Sequence, residues 1–263
     1  MTKHLLQSHW EDCLQLYNKE QIFGLFLQGS QNYQLGTELS DVDSKCLLLP
    51  KFEDIVLNKR PVSHTHIREN DEHIDFKDVR NYFSLFRKQN INVIEILFAQ
   101  DYIINWDYED YFEDLYELRE DIAHLNPWKM CKTIAGMATE KLHSLCHEYP
   151  SKLELLDKYG YDAKQLHHII RLNDFIKRYK SGVPFEECLI PNDELKEKLI
   201  AIKKYDIIYT VNEAVEIANK FCEEIWREYS EVQKMDDDLK TTEQLNMILT
   251  ELIKDKFKKE ICN

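Results

Sequence analysis

Gly29-Ser30-Gln31-Asn32-Tyr33-Gln34-Leu35-Gly36-Thr37-Glu38-Leu39-Ser40-Asp41-Val42-Asp43-Ser44-Lys45 is the stretch that decides the fold. An apolar run, Ile22 to Leu27, leads into it, and Cys46 to Leu49 leads out. Both runs are short and stopped by turn residues, Gly29-Ser30 and Pro50, which predicts two buried strands. Between them Gly29-Ser30 opens a short helical turn, and Gly36-Thr37 lets the chain reverse. Asp41 and Asp43 are expected at the start of the second strand, where residues i and i+2 share a face about 7 Å apart. Val42, between them, then points into the core. Two carboxylates beside a Gly-Ser turn suit a hard divalent cation that carries phosphates, with backbone N–H groups taking phosphate oxygens.

Working outward, Leu6, Trp10, Cys13-Leu14 and Tyr17 recur at helical spacing, so Lys3 to Glu20 reads as an amphipathic helix on the sheet. Lys51 to Asn58 reads as a short helix. Val62 to Ile67 alternates at period two, Glu69-Asn70-Asp71 reads as a turn, and Glu72 to Phe76 as the return strand of a hairpin. Asp75, between Ile74 and Phe76, is the candidate third carboxylate, with Glu72 and Asp78 as rivals. His64 and His66 share a strand face and are candidates for the substrate side. Glu95, in the apolar run after Asn90-Ile91-Asn92, requires a partner and reads as half of a structural salt bridge or as a cap.

Tyr102 to Leu118, dense in Tyr, Asp and Glu, reads as packing and as a hinge between two halves. Beyond it the strand patterns stop. Asn126-Pro127 caps a helix to about Glu148. Further helices are expected from about Asp162 to Lys180, Asp193 to Lys204, Val211 to Val232 and Thr241 to Lys259, with Met235-Asp236-Asp237-Asp238 as a linker. Within Tyr161 to Leu172, Lys164, His168 and Arg171 fall at i, i+4 and i+7, opposite an apolar face of Leu166, Ile169-Ile170, Phe175 and Ile176. Three cationic groups in a row require an anion: Lys as a point charge, Arg as a fork, His as a donor that titrates. Lys129, Lys132 and Lys141 extend that basic wall.

Gly29-Ser30, Gly36-Thr37, Ser40 and the Asp41-x-Asp43 pair resemble the signature of the polymerase-beta-type nucleotidyltransferase superfamily. Asn90-Ile91-Asn92-Val93-Ile94-Glu95, and Tyr161-Asp162-x-Lys164-x-x-x-His168-x-x-Arg171-Leu172, are similar to elements of its RNA-ligase-associated predicted nucleotidyltransferase subgroup in bacteria and phages. Lys45, and Asn-Ile-Asn where many relatives have Asn-Pro-Asn, mark a divergent branch. The resemblance implies an α+β chain. Residues 1–125 would be a small mixed sheet with flanking helices that holds the metal, and 126–263 an all-α half closing over the nucleotide. It implies transfer of an NMP from an NTP such as ATP to an acceptor hydroxyl, with pyrophosphate released. Mg²⁺ or Mn²⁺ would be held by Asp41, Asp43 and Asp75, with Asp75 as general base. Gly29, Ser30, Lys164, His168 and Arg171 would contact phosphates. An RNA or tRNA end is the implied acceptor; a non-catalytic nucleotide-binding module and a protein-nucleotidylating toxin-type enzyme are the alternatives.

Composition narrows the field. The 43% hydrophobic residues permit a core, and only 6 Gly and 6 Pro favour long helices over a loop-rich β protein. A net charge of −14 argues against a protein that coats nucleic acid through Lys and Arg, although a local basic groove is compatible with it. The 7 cysteines show no C-x-x-C pair, so free, mostly buried thiols are expected. With no apolar signal core near Met1 and no stretch long enough to span a bilayer, the expected location is the cytoplasm, without a membrane partner.

Overall fold

The computed structural model describes residues 5–37 and 40–262. The chain divides into two compact units: Met1–Asn32, Glu38–Leu125 and Asp237–Asn263 form the first, Tyr33–Thr37 and Asn126–Asp236 the second.

The first unit is built on a five-stranded mixed sheet of β1 (Ile22–Gln28), β2 (Asp43–Leu48), β3 (Ser63–Ile67), β4 (His73–Asp78) and β5 (Tyr102–Ile104), in the order β3-β4-β2-β1-β5. Neighbours are antiparallel except β2 and β4, which run parallel with Lys45 opposite Asp75. β1 is apolar almost throughout because both its faces are covered. The expected hairpin forms between β3 and β4, its turn passing through Asp71 at φ 64°.

Helix α1 (Gln7–Leu16) covers one face. Leu6 and Cys13 pack there on Leu25, Leu27, Cys46, Leu48, Ile74 and Phe76, with Trp10 and Val42 at the margin. Each such side chain taken from water contributes about 1.5–3 kcal/mol. The helix is shorter than its apolar spacing predicts, because Tyr17 and Asn18 are extended and lead into a 3₁₀ turn at Lys19–Gln21.

The remaining helices of this part are α2 (Phe52–Val56), α3 (Val79–Arg87), α4 (Ile91–Ile94), α5 (Glu109–Glu117) and α6 (Arg119–Ala123). Asp78 caps α3 by accepting from the Arg80 N–H at 2.8 Å, and Asn90 caps α4 by accepting from the Asn92 N–H at 3.0 Å. The stretch read as a hinge, Tyr102 to Leu118, holds the edge strand β5 and α5 instead.

The second unit is helical: α7 (Pro127–Ser144), α8 (Leu153–Tyr159), α9 (Ala163–Lys180), α10 (Phe185–Leu189), α11 (Asp193–Lys203) and α12 (Val211–Ser230). Asn126 caps α7 as the sequence predicts, and Asp162, Asn192 and Thr210 cap α9, α11 and α12. α7, α9 and α12 pack on one another, with Ala135, Ala138, Ala214 and Ala218 buried.

The last helix, α13 (Leu239–Cys262), belongs to the first unit, whereas the sequence division at 125/126 groups it with the helical half. It packs on α3 and α5 and buries Leu245, Ile248 and Leu252. An amphipathic repeat states that a helix needs a partner and not which one. No helix among the described residues is long and apolar enough to cross a membrane.

Candidate functional site

Strand register sorts the polar residues of the sheet. Cys46, Leu48, Ile74 and Phe76 face α1, so the alternate positions Asp43, Lys45, Asp75 and Lys77 share the opposite face. Asp43 stands at the open end of β2, and the His73 Nδ1–H donates to its Oδ1 at 3.1 Å. Gly29 turns the chain beside it. At φ +76° this position suits glycine, and a Cβ there would lie 3.8 Å from Asp43 Oδ2. Gly29–Gln31 forms the expected helical turn, with Ser30 partly buried in it.

Asp75 is partly buried in β4 and accepts from the Thr65 hydroxyl at 2.5 Å. Asp41 is exposed and precedes β2, which begins at Asp43. The shared strand face thus joins Asp43 to Lys45 and Asp75; it does not extend back to Asp41.

Lys45 is 6% exposed and Glu95 2% exposed. Their Nζ and Oε1 atoms are 3.5 Å apart, and Lys45 also donates to the Asn92 carbonyl. Burial pushes the ammonium down to about 7, against the pull of Asp75 and Asp43. Of the two structural roles expected of Glu95, salt bridge or cap, the structure shows the salt bridge, and its partner is the lysine two residues beyond Asp43. The Asn-x-Asn-x-x-Glu element and the Asp-x-Asp-x-Lys element meet at this pair.

The rivals of Asp75 are engaged elsewhere. Asp78 pairs with Arg80 at 2.6 Å as it caps α3. Glu72 bonds Arg68 at 2.5 Å and His9 at 3.0 Å. Burial alone would raise the Glu72 carboxyl, but hydrogen bonds from His9, Asn70 and Arg68 hold it at about 2. Burial also keeps His9 below its ordinary range, so its ring is neutral. Its Nε2–H donates to Glu72, and its Nδ1 accepts from the Ser44 hydroxyl at 2.8 Å. His64 and His66 stand opposite Phe76 and Ile74, on the α1 side of the sheet and away from Asp43 and Asp75. The His64 ring rests 5.2 Å from that of Phe76, so the histidines do not share the face of the acids.

In the helical unit, Lys164, His168 and Arg171 all lie on α9. Lys164 is exposed, His168 partly buried and Arg171 buried, with the Arg171 guanidinium 3.9 Å from the centre of the Tyr33 ring. His167, which the spacing argument passes over, is 2% exposed, and neither ring nitrogen meets a hydrogen-bond partner among the described residues. Burial and the nearby Arg171, Lys203 and Lys164 hold His167 down at about 3. Burial, His167 and the same Arg171 and Lys164 hold His168 well below its ordinary value. Both rings are neutral at pH 7 in the protein alone, where His168 can donate only as a neutral N–H. A buried polar ring at helix position i+4 from an apolar neighbour carries no sequence signal of its own. His73 and Thr65 were legible only through strand register.

Among the described residues no group of three or more His, Cys, Asp or Glu side chains is arranged to hold a metal. Of the carboxylates in question, Asp43 and Asp75 share a face, and Asp41 lies two residues before Asp43 in the open chain.

A mixed sheet whose Gly-Ser turn lies against a strand-end aspartate, followed by a helical half, defines the class: a polymerase-beta-type nucleotidyltransferase. The chain belongs to the RNA repair pathway DNA polymerase beta family (RlaP), whose model matches residues 8–251. Among solved structures, it is similar to a nucleotidyltransferase-like protein from Exiguobacterium sibiricum. The two share 12% identity over 97% of this chain and 90% of that one, with a TM-score of 0.33, too distant to carry geometry across. No curated protein matches the chain.

Proposed function

We propose that the chain is a metal-dependent nucleotidyltransferase that moves an NMP from an NTP to an acceptor hydroxyl, with RNA the acceptor class. Membership of an RNA repair family supports the acceptor, and the observation that carries the reading is Asp43, held beside the Gly29 turn on one sheet face with Asp75. Carboxylate oxygens are the donors that Mg²⁺ or Mn²⁺ prefers. Mg²⁺ takes one or two of them and completes its shell with water and substrate phosphate, so a site without a third preformed ligand fits it. Asp41 and Asp43, with Asp75, would hold the ion. When bound, it supplies positive charge to the polyphosphate and Lewis acidity at the phosphoryl oxygens.

The protein's own groups do the rest. Gly29 and Ser30 contact phosphate oxygens. Asp75, oriented by Thr65, receives the proton of the acceptor hydroxyl. The acceptor oxygen bonds to the α-phosphorus as the bond from that phosphorus to pyrophosphate breaks. Lys164 and Arg171 supply positive charge and His168 a neutral N–H for phosphate groups. Arg171 is steadied for this by Tyr33, three residues after Ser30 in the chain.

The test incubates the protein with Mg²⁺ and each labelled NTP, with and without total RNA. Labelled RNA and pyrophosphate are expected, and Asp41→Asn/Asp43→Asn is expected to abolish both while its circular dichroism spectrum is retained. Transfer that survives the double substitution removes these residues from the mechanism. Label on a protein band in place of RNA transfers the assignment to a protein-nucleotidylating enzyme.

A further inference from the structure

The sheet ends at β5, where the first unit carries a groove of about 760 Å³ lined by β5, α1 and α5. Three features of the groove point to one kind of occupant, and none of them involves the residues assigned to nucleotidyl transfer.

The first is a sheet edge with which no strand among the described residues pairs. β5 pairs with β1 through alternate residues: the Leu27 N–H donates to the Asp101 carbonyl at 3.0 Å, and the Asn105 N–H to the Phe23 carbonyl at 3.1 Å. In an antiparallel ladder the intervening residues turn their backbone groups the other way. The N–H and C=O of Tyr102 and Ile104 therefore point outward, along the groove that both residues line. Such an edge is a template for an added strand.

The second is a row of acid. Glu109, Glu113 and Glu117 line the groove at i, i+4 and i+8 of α5, on one helix face, and all three are exposed. Successive members are about 6 Å apart along the axis. No lysine or arginine lines the groove among the described residues. The third is aromatic surface. Tyr116 already carries Arg119, 3.8 Å from its ring centre, which leaves Trp10, Tyr102 and Trp106. Trp106 is 79% exposed, and nothing among the described residues covers its indole.

We infer that this groove binds an extended, lysine- or arginine-rich segment of a partner protein, which adds to β5 as a sixth strand. Side chains on one face of an extended chain recur every 7 Å or so, close to the glutamate interval. Cations at alternate positions then meet the acidic row, their stems and charged heads lie on the indole and phenol rings, and the peptide's amides pair with Tyr102 and Ile104. RNA is excluded from this face by its charge. An aliphatic polyamine matches the acids but has no amide groups to offer the edge.

The probe is a fluorophore-labelled, N-acetylated octapeptide of alternating Lys and Val, titrated against the full chain and read by anisotropy. Saturable binding is expected. Glu109→Gln/Glu113→Gln/Glu117→Gln should weaken it about tenfold or more, as loss of several interfacial charge pairs does. Glu216→Gln/Glu223→Gln/Glu243→Gln, which removes the same charge from exposed sites elsewhere, should leave it unchanged. N-methylation of the probe on alternate backbone amides should weaken binding as much as the groove triple does. Equal loss in the two glutamine triples reduces the binding to net charge and overturns the proposal. So does full affinity of the N-methylated probe, or displacement of the probe by spermidine at a cation concentration where NaCl is without effect. Nucleotidyl transfer is expected to be unaltered in the groove triple, so the two readings fail separately.

Discussion

Replacing Lys45 by Met would leave the Glu95 carboxylate buried without its ammonium. Breaking one side of a buried pair costs about 3–5 kcal/mol, whereas replacing both sides by apolar groups is often close to neutral. Urea unfolding of Lys45→Met should therefore show a loss of that size, and Lys45→Met/Glu95→Leu a smaller one; additive losses would show that the two side chains do not act as a pair. Glu72 makes a pH-dependent contribution of opposite character. Its carboxyl titrates at about 2 in the folded chain against an ordinary 4.5, so the unfolded chain takes up the proton first as pH falls. The stabilisation is complete above about pH 4.5 and is lost as pH falls towards 2. Discounted for partial exposure it amounts to roughly 2 kcal/mol. Glu72→Gln should flatten the acid limb of the stability profile over that window, measured by urea midpoints at stepped pH. A limb of unchanged slope would assign acid sensitivity to other carboxylates.

At the scale of elements, the end of α8 shows how local chemistry fixes packing. Gly160 caps the helix at φ +75°, its N–H donating to the Leu156 carbonyl at 2.7 Å. A Cβ there would come within 2.2 Å of Val211 Cγ2, at the first turn of α12. Gly160→Ala should cost about 2–3 kcal/mol from left-handed backbone strain and overpacking together. Gly160→Ala/Val211→Ala should recover part of it; no recovery would leave backbone strain as the whole cause. Helix ends of this kind were legible in the sequence where their signals are local: Asn126-Pro127 marks the start of α7, the Asn126 side chain accepting from the Lys129 N–H three residues on. The β3–β4 hairpin was legible by the same rule. What escaped depends on pairing between distant residues. Asp41 falls outside the strand because β2 begins at Asp43, and His64 and His66 lie on the α1 face because Thr65 is the residue in register with Asp75. A period of two tells which residues travel together and leaves open which side they take. Glu95 announced a partner by its burial among apolar residues, but only the fold names Lys45.

For the whole molecule, neither compact unit is one uninterrupted stretch of chain. The second includes Tyr33–Thr37, and the first recovers Asp237–Asn263 after the helical unit is complete. A fragment of residues 1–125 lacks α13 and leaves bare the surfaces of α3 and α5 on which it packs. That fragment should bind the dye ANS and sediment as aggregates, while 1–125 joined by a flexible linker to 237–263 should do neither. Well-behaved monomer from 1–125 alone would show that α13 is dispensable to the unit's solubility.

The return of α13 also orders events during synthesis. A ribosome releases the chain from its N-terminus, and domains generally fold as they emerge. Here the sheet that carries Asp43 and Asp75 is extruded early yet stays uncovered at α3 and α5 until the 24 residues of α13 have followed the helical unit. A nascent chain that has emerged as far as residue 238 would thus hold a finished helical unit and an unfinished sheet, making the interval before α13 emerges the period in which a chaperone has most to protect.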